Sequence, residues 1–511
     1  MSTDTHLMEF SGLAQSLGAR VYCFSEEKGF SSISIDSRTA CAGAMFVALE
    51  GETTDGHRYV QAAFESGACA AMVDSSKIEQ FNLLRTAESM GKNLIAVENT
   101  LKSLQQAARV YLEGFPGLVK IGITGSSGKT TTKEIAAAIV SREKNTVMNQ
   151  GNLNSETGLP LSVFEVRAHH EAGIFEMGMN RRGEIAELAD VVKPNIAVIT
   201  NIGSAHIGIL GSQQAIAEEK KNIFSCFTGS ELALIPADDE YSEFLSRNVK
   251  GRVCFYSAAS FSELGGVKDR GLEGSELVWD GGTVHFALPG RHNFANALAA
   301  LAISRELGIS PAAVKCGLES VRPLFGRSEI IRGKVALVRD CYNANPESFE
   351  QAIQFCDSVD WPGRKIYVVA DMLELGENSR QAHGKMGALL ASSQADAVFL
   401  FGTETQAAAQ VLAAQPEKTC AHFTNMGQLS AALDAFLKEG DMVLLKGSRG
   451  CALERLCELP ILKTHDTAQP VGAAQPVGAA QQERNLCPAG SAEVPVGVAQ
   501  PAVSGGGMTC F

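Results

Sequence analysis

Between a short apolar run, Val119-Lys-Ile-Gly-Ile-Thr124, and an alanine- and isoleucine-rich stretch, Lys129–Val140, stands Gly122-Ile-Thr-Gly-Ser-Ser-Gly-Lys-Thr130. The apolar run reads as a buried strand and the later stretch as a helix. A glycine-rich loop in that setting constrains this chain more than any other feature. Glycines let backbone N–H groups curl around phosphate oxygens, a lysine reaches the outer phosphates, and a hydroxyl helps to hold Mg²⁺. The positive end of the following helix adds to the attraction. The pattern departs from GxxxxGK in one place, because Ile123 occupies the first glycine position with Gly122 and Gly125 on either side. A bare Gly-Lys-Thr is a common structural turn. Between a strand and a helix it predicts ATP binding by Gly125, Ser126, Ser127, Gly128, Lys129, Thr130 and Thr131.

Around this loop, strand-like and helix-like patterns alternate. Gly173–Met177, Ile196–Asn201 and Leu232–Pro236 read as strands, and Gly183–Val191 and Gln213–Phe227 as helices. Such alternation argues for a mainly parallel sheet covered by helices. The turn-rich Gly114-Phe-Pro-Gly117 marks a boundary upstream. After Arg322-Pro-Leu-Phe-Gly-Arg327 a second series begins, with strands expected at Val335–Arg339, Lys365–Ala370, Ala397–Phe401 and Met442–Lys446. The expected organisation is an α/β protein of three domains. An N-terminal domain spans 1–115, a central ATP-binding domain with a mainly parallel sheet 116–323, and a Rossmann-like C-terminal domain 324–463. From 464 to 511 the chain repeats Ala-Gln-Pro-Val-Gly-Ala and holds too few large apolar residues to offset the entropy of ordering, so a disordered tail is expected.

Bulk properties exclude several classes. The net charge of −13 disfavours a general nucleic-acid-binding surface. No apolar run approaches the roughly 20 residues needed to cross a bilayer, and the first ten residues do not form a secretory signal. The 13 cysteines are scattered without paired or zinc-like spacing, which fits reduced thiols in a cytoplasm.

Further segments follow the loop in a fixed order: Gly151-Asn-Leu-Asn-Ser-Glu-Thr-Gly158, Phe175-Glu-Met-Gly-Met-Asn180, Asn201-Ile-Gly-Ser-Ala-His206, Glu218-Glu-Lys-Lys-Asn-Ile-Phe224 and Pro289-Gly-Arg-His-Asn-Phe-Ala-Asn296. The last third adds Asp340-Cys-Tyr-Asn-Ala-Asn-Pro346, Ala370-Asp-Met-Leu-Glu-Leu-Gly376 and Lys446-Gly-Ser-Arg449, and the first third Asp36-Ser-Arg38 and Asp55-Gly-His57. Together with the loop variant Thr-Gly-Ser-Ser-Gly-Lys-Thr-Thr-Thr, this order resembles the Mur ligase and folylpolyglutamate synthase superfamily over nearly the whole chain before the tail. In that family ATP phosphorylates a carboxylate and an amine then attacks the acyl phosphate.

The resemblance implies roles for individual residues. Lys129, Glu176, His206, Lys220 and Arg327 resemble the catalytic set, and Thr130, Glu176, His206 and Lys220 the ligands of two Mg²⁺ ions. Glu176 and His206 also fall at expected strand ends, where open α/β sheets place ligands. Taken alone, His206 reads as a structural histidine and Lys220 as a solvated helix charge. The resemblance makes Lys220 a lysine carbamylated by CO₂, with the register against Lys221 left open. Asn293 and Asn296 resemble an adenine site, and Arg327 and Asp340 a phosphate-binding arginine and a ribose-contacting carboxylate. Substrate contacts are implied for Ser37, Arg38, Asn152, Asn154, Thr157, Tyr342, Asn343, Asn345, Lys446, Ser448 and Arg449.

Within the family, Tyr342-Asn-Ala-Asn-Pro346 and Lys446-Gly-Ser-Arg449 resemble the branch that adds D-alanyl-D-alanine to a UDP-linked muramoyl-tripeptide for cell-wall synthesis. The Asp-Asn-Pro-Arg segment of the diamino-acid-adding sibling is missing. That sibling, a folylpolyglutamate-type ligase and a nucleotide-binding scaffold without catalysis stand as the alternatives. A cytoplasmic monomer with small-molecule substrates, no nucleic acid and no membrane insertion is expected. The base that accepts the amine proton is not named by the sequence.

Overall fold

A computed structural model describes residues 6–414 and 418–463. The stretch 464–511, where a disordered tail is expected, lies outside them.

Three α/β layers follow one another along the chain. The first carries a five-stranded sheet in the order Arg20–Tyr22, Asn93–Val97, Ala70–Asp74, Ala44–Val47, Ser32–Ser34, parallel except for its first pair. Within it His57 is a scaffold residue. Its Nδ1 lies 2.6 Å from Asp55, and its Nε2 accepts from the backbone N–H of Asp74.

The central layer is a six-stranded, wholly parallel sheet ordered Arg252–Tyr256, Leu232–Pro236, Ile196–Ile199, Val119–Thr124, Ala172–Glu176, Thr146–Met148. Its inner strands read as continuous apolar runs because helices cover both faces. The alanine-rich helix Arg291–Glu306 packs on the phosphate-loop helix Lys129–Val140, and its small side chains allow the two backbones to approach closely. Beyond the sheet lies a small antiparallel sheet of Leu264–Asp269, Ser275–Trp279 and Gly282–Phe286, which the sequence pattern did not predict. Its tight turn is Asp280-Gly281, both with positive φ, the geometry that a two-residue hairpin requires.

In the C-terminal layer the strands run Glu329–Arg332, Ala336–Asp340, Met442–Lys446, Lys365–Ala370, Ala397–Phe401, Thr419–Phe423, parallel except for the first pair. All four strands expected here are found. The two edge strands are additional. Among the described residues no helix is long and apolar enough to cross a membrane.

Candidate active site

Strand order fixes where chemistry gathers. The phosphate loop leaves the strand Val119–Thr124, whose two neighbours are Ala172–Glu176 and Ile196–Ile199. Residues just past those neighbours therefore flank the loop, as ligand sites in open α/β sheets do. Glu176 ends one neighbour, and 201–206 follows the other.

The loop is shaped by close approaches. At Gly128, with φ of 77°, a Cβ would sit 2.1 Å from Asn296 Oδ1. At Gly125 it would sit 1.8 Å from the Thr200 hydroxyl. No other residue type fits either position without moving its neighbour. Lys129 folds back to donate to the Gly125 carbonyl at 2.8 Å. Burial pushes its ammonium below the usual lysine range, Glu176 and Glu374 pull the other way, and Arg327 adds to the depression.

Glu176 is 1% exposed. One oxygen accepts from Asn154 Nδ2 at 2.6 Å, while Oε2 is buried without a partner. A buried carboxylate oxygen left bare is costly, and its chemistry suits a hard cation. Asn149 supports this arrangement from behind. Its side chain accepts from the Glu176 N–H at 2.8 Å and donates to the Glu176 and Leu153 carbonyls. Fully buried Lys133 in turn donates to the Asn149 carbonyl at 2.6 Å. Neither Asn149 nor Lys133 was assigned a role from sequence.

His206 has a left-handed backbone, φ 64°. Its Nδ1 lies 2.7 Å from Glu374 Oε2, at angles that are not those of a hydrogen bond. Lys220 is 1% exposed, so it is not a solvated helix charge. Burial, and then the nearby charge of Lys129, holds its amine well below the usual range, with Glu219 opposing. Lys221 instead donates to the carbonyls of Phe244 and Arg247, and Glu219 accepts from the N–H groups of Gly183 and Ile185. Of the two lysines, Lys220 is the buried one.

The C-terminal layer closes the other wall. Arg327 stacks 3.9 Å over the Tyr342 ring, and Lys446 pairs with Asp340 at 2.9 Å. One cleft of about 630 Å³ is lined from both sides. Its walls include loop residues 126–131, Asn152, Asn154, Glu176, His206, Asn293, Asn296, Arg327, Asp340, Tyr342, Asn343, Asn345 and Lys446. Asn293 is tied to the Pro289 carbonyl at 2.7 Å, next to Asn296.

Other expected site residues, Lys220 and Gly125 among them, lie outside this lining. Ser448 is buried in the scaffold, accepting from the Leu373 N–H. Thr157 precedes the helix Gly158–Val163. Arg449 pairs with Glu454 at 3.3 Å, at the outer edge of the Phe325 and Tyr342 rings. Ser37 and Arg38 belong to the first layer, where exposed Arg38 grips Asp36 and holds its carboxyl down to about 2.

Residues 29–112 match the model of the Mur ligase family catalytic domain, 123–304 the Mur ligase middle domain, and 326–449 the Mur ligase glutamate ligase domain. A curated protein of Treponema pallidum, named UDP-N-acetylmuramoyl-tripeptide--D-alanyl-D-alanine ligase, is 44% identical over 86% of this chain and 95% of its own. The Bacillus subtilis protein of the same name is 33% identical over 84% and 93%. A crystal structure of MurF from Acinetobacter baumannii superposes with a TM-score of 0.77 at 28% identity, covering 87% of this chain and 97% of that one. The MurF ligase of Thermotoga maritima in complex with ADP gives 0.69 at 28%, covering 84% and 96%. The chain belongs to the Mur ligase family, in the branch whose curated members are named UDP-N-acetylmuramoyl-tripeptide--D-alanyl-D-alanine ligases.

Proposed function

We infer that this protein uses ATP to join D-alanyl-D-alanine to UDP-N-acetylmuramoyl-tripeptide, forming the pentapeptide precursor of peptidoglycan. The relatives' names supply the substrates. The observation that carries the mechanism is a shared cleft, with the phosphate loop on one wall and Arg327, Asp340 and Lys446 on the other.

In this reading the loop N–H groups and Lys129 hold the ATP phosphates, while Asn293 and Asn296 face the adenine and Asp340 the ribose. The terminal carboxylate of the tripeptide attacks the γ-phosphorus, and ADP leaves. Two anionic oxygens must approach one another, so electrostatic screening is the main contribution asked of the protein. Lys129 and Arg327 supply it from this chain. The neutral amine of D-alanyl-D-alanine then attacks the acyl phosphate, the C–N bond forms, and phosphate departs. Tyr342, Asn343, Asn345, Lys446, Ser448 and Arg449 are assigned to the incoming amine substrate, and Ser37, Arg38, Asn152, Asn154 and Thr157 to the UDP-linked peptide.

A divalent cation fits the bare Glu176 oxygen, with Thr130 and His206 on the same cleft. Among the described residues no three His, Cys, Asp or Glu side chains form a closed metal cluster. Mg²⁺ tolerates this, since it retains waters and takes phosphate oxygens as ligands. When bound it would neutralise phosphate charge. Carbamylation of Lys220 needs an uncharged amine, which its burial favours, and would provide a further carboxylate for a second ion. The limits 1–115, 116–323 and 324–463 are proposed as the UDP-substrate, ATPase and ligase domains of a cytoplasmic enzyme. Lys129→Ala tests the assignment of the loop. Phosphate release should fall by roughly 10²–10³-fold, and unchanged turnover would remove the loop from the mechanism.

A further inference from the structure

The segment after the strand Ile196–Ile199 has two faces. Inward, it is tied to the phosphate loop. The Ser126 N–H donates to the Asn201 carbonyl at 3.0 Å, the Gly203 N–H donates to Ser126 Oγ at 2.8 Å, and Asn201 Oδ1 accepts from the Ser127 N–H at 3.0 Å. Outward, it is gripped by the C-terminal layer. Glu347, in the first turn of the helix Pro346–Ser358, accepts from the Ser204 N–H through Oε1 at 2.8 Å and from the Ser204 hydroxyl through Oε2 at 3.0 Å. At Gly203 a Cβ would fall 2.9 Å from Glu347 Cδ, so only a glycine admits the carboxylate this closely. Four residues beyond Ser204, the Gly208 N–H donates to the Glu374 carbonyl at 3.0 Å.

We propose that Glu347 is a positioning residue that carries docking of the C-terminal domain into the phosphate loop through Ser204. Both carboxylate oxygens are used on one residue of the other domain, which is a bidentate, charge-assisted contact. Ser204 lies between Asn201 and Gly203, which hold the loop, and His206, which lines the cleft. When the domains part, Ser204 loses both bonds and the 201–206 segment loses its outer support. Glu347 does not line the cleft, so its effect on the reaction passes through Ser204. The link to catalysis rests on the ligase reading; the link between domains does not.

The test compares Glu347→Ala, Glu347→Gln, Ser204→Ala and the double alanine variant in the full-length protein. Turnover and ADP-dependent compaction by small-angle X-ray scattering are measured on each. Loss of charge-assisted hydrogen bonds predicts that Glu347→Ala lowers kcat roughly 10–100-fold, with KM for ATP changed by less than about 3-fold. Glu347→Gln should recover most of kcat, because its Oε1 can accept from the Ser204 N–H and its amide can donate to the Ser204 oxygen. The double variant should be no worse than Glu347→Ala alone, and compaction with ADP should weaken in Glu347→Ala. Wild-type kcat and compaction in Glu347→Ala would overturn the proposal. So would a Glu347→Gln variant that folds normally yet matches the alanine variant, or fully additive losses. If the wild type does not turn over UDP-N-acetylmuramoyl-tripeptide with D-alanyl-D-alanine, the ligase reading fails, while the scattering comparison still decides whether Glu347 couples the domains.

Discussion

Asp340 and Lys446 are register partners at the carboxyl ends of neighbouring parallel strands, and their side chains close a 2.9 Å ion pair on the wall of the cleft. Lys446 is 2% exposed and also donates to the Asn343 carbonyl at 2.9 Å. It therefore joins the strand that ends in Asp340 to the loop that bears Tyr342 and Asn343. Removing one partner of such a pair leaves the other uncompensated. Lys446→Met should cost about 3 kcal/mol in chemical denaturation. Adding Asp340→Asn should return part of that loss. A Lys446→Met protein as stable as wild type would show that the pair does not hold this wall together.

Lys220 makes a pH-dependent prediction. Its amine titrates well below the usual range in the folded protein, chiefly through burial, and near 10.4 in the unfolded chain. Between those values the unfolded chain binds the extra proton, so wild-type stability rises with pH across that window. It falls again as pH drops toward the folded value. In CO₂-depleted buffer, Lys220→Met removes the penalty. Its denaturation midpoint should exceed that of wild type at pH 7, and the gap should close as pH approaches about 10. The same variant should be nearly inactive. A gap that stays constant with pH would contradict the burial of an ionisable amine here, and full activity would remove Lys220 from the mechanism.

Glu176 leads to a prediction about metal. Its bare Oε2 is the most direct provision for a cation in the cleft. Chelation of divalent ions should abolish turnover. Glu176→Gln should raise the Mg²⁺ concentration needed for half-maximal rate by about 10-fold or more, the size expected for losing one charged ligand contact. An unchanged Mg²⁺ requirement would assign this carboxylate a structural role.

Much of this architecture is legible in the sequence. The phosphate loop announced itself through Gly125, Gly128 and Lys129, whose spacing has a direct physical use. Largely buried parallel strands such as Leu232–Pro236 are readable as short apolar runs. The small antiparallel sheet was not recognised, although Asp280-Gly281 carried the signal for its turn. Its strands mix exposed Val267 and Val278 with buried Leu277 and Val284, so no continuous run appears. The cleft's supports were the least visible part. Asn149 and Lys133 act through backbone carbonyls and N–H groups that only the folded chain brings together. Glu347 and Glu374 meet Ser204 and His206 from more than a hundred residues away. The neighbours of Lys220 could not settle which lysine turns inward, because helical phase near a helix end depends on the packing of the next turn.

Phosphate release with ATP and Mg²⁺ decides which substrates this ligase joins. One reaction offers UDP-N-acetylmuramoyl-tripeptide with D-alanyl-D-alanine. The other offers UDP-N-acetylmuramoyl-dipeptide with diaminopimelate or lysine. Turnover is expected with the first pair and none with the second. Turnover only with the second pair, or with neither, would contradict this assignment.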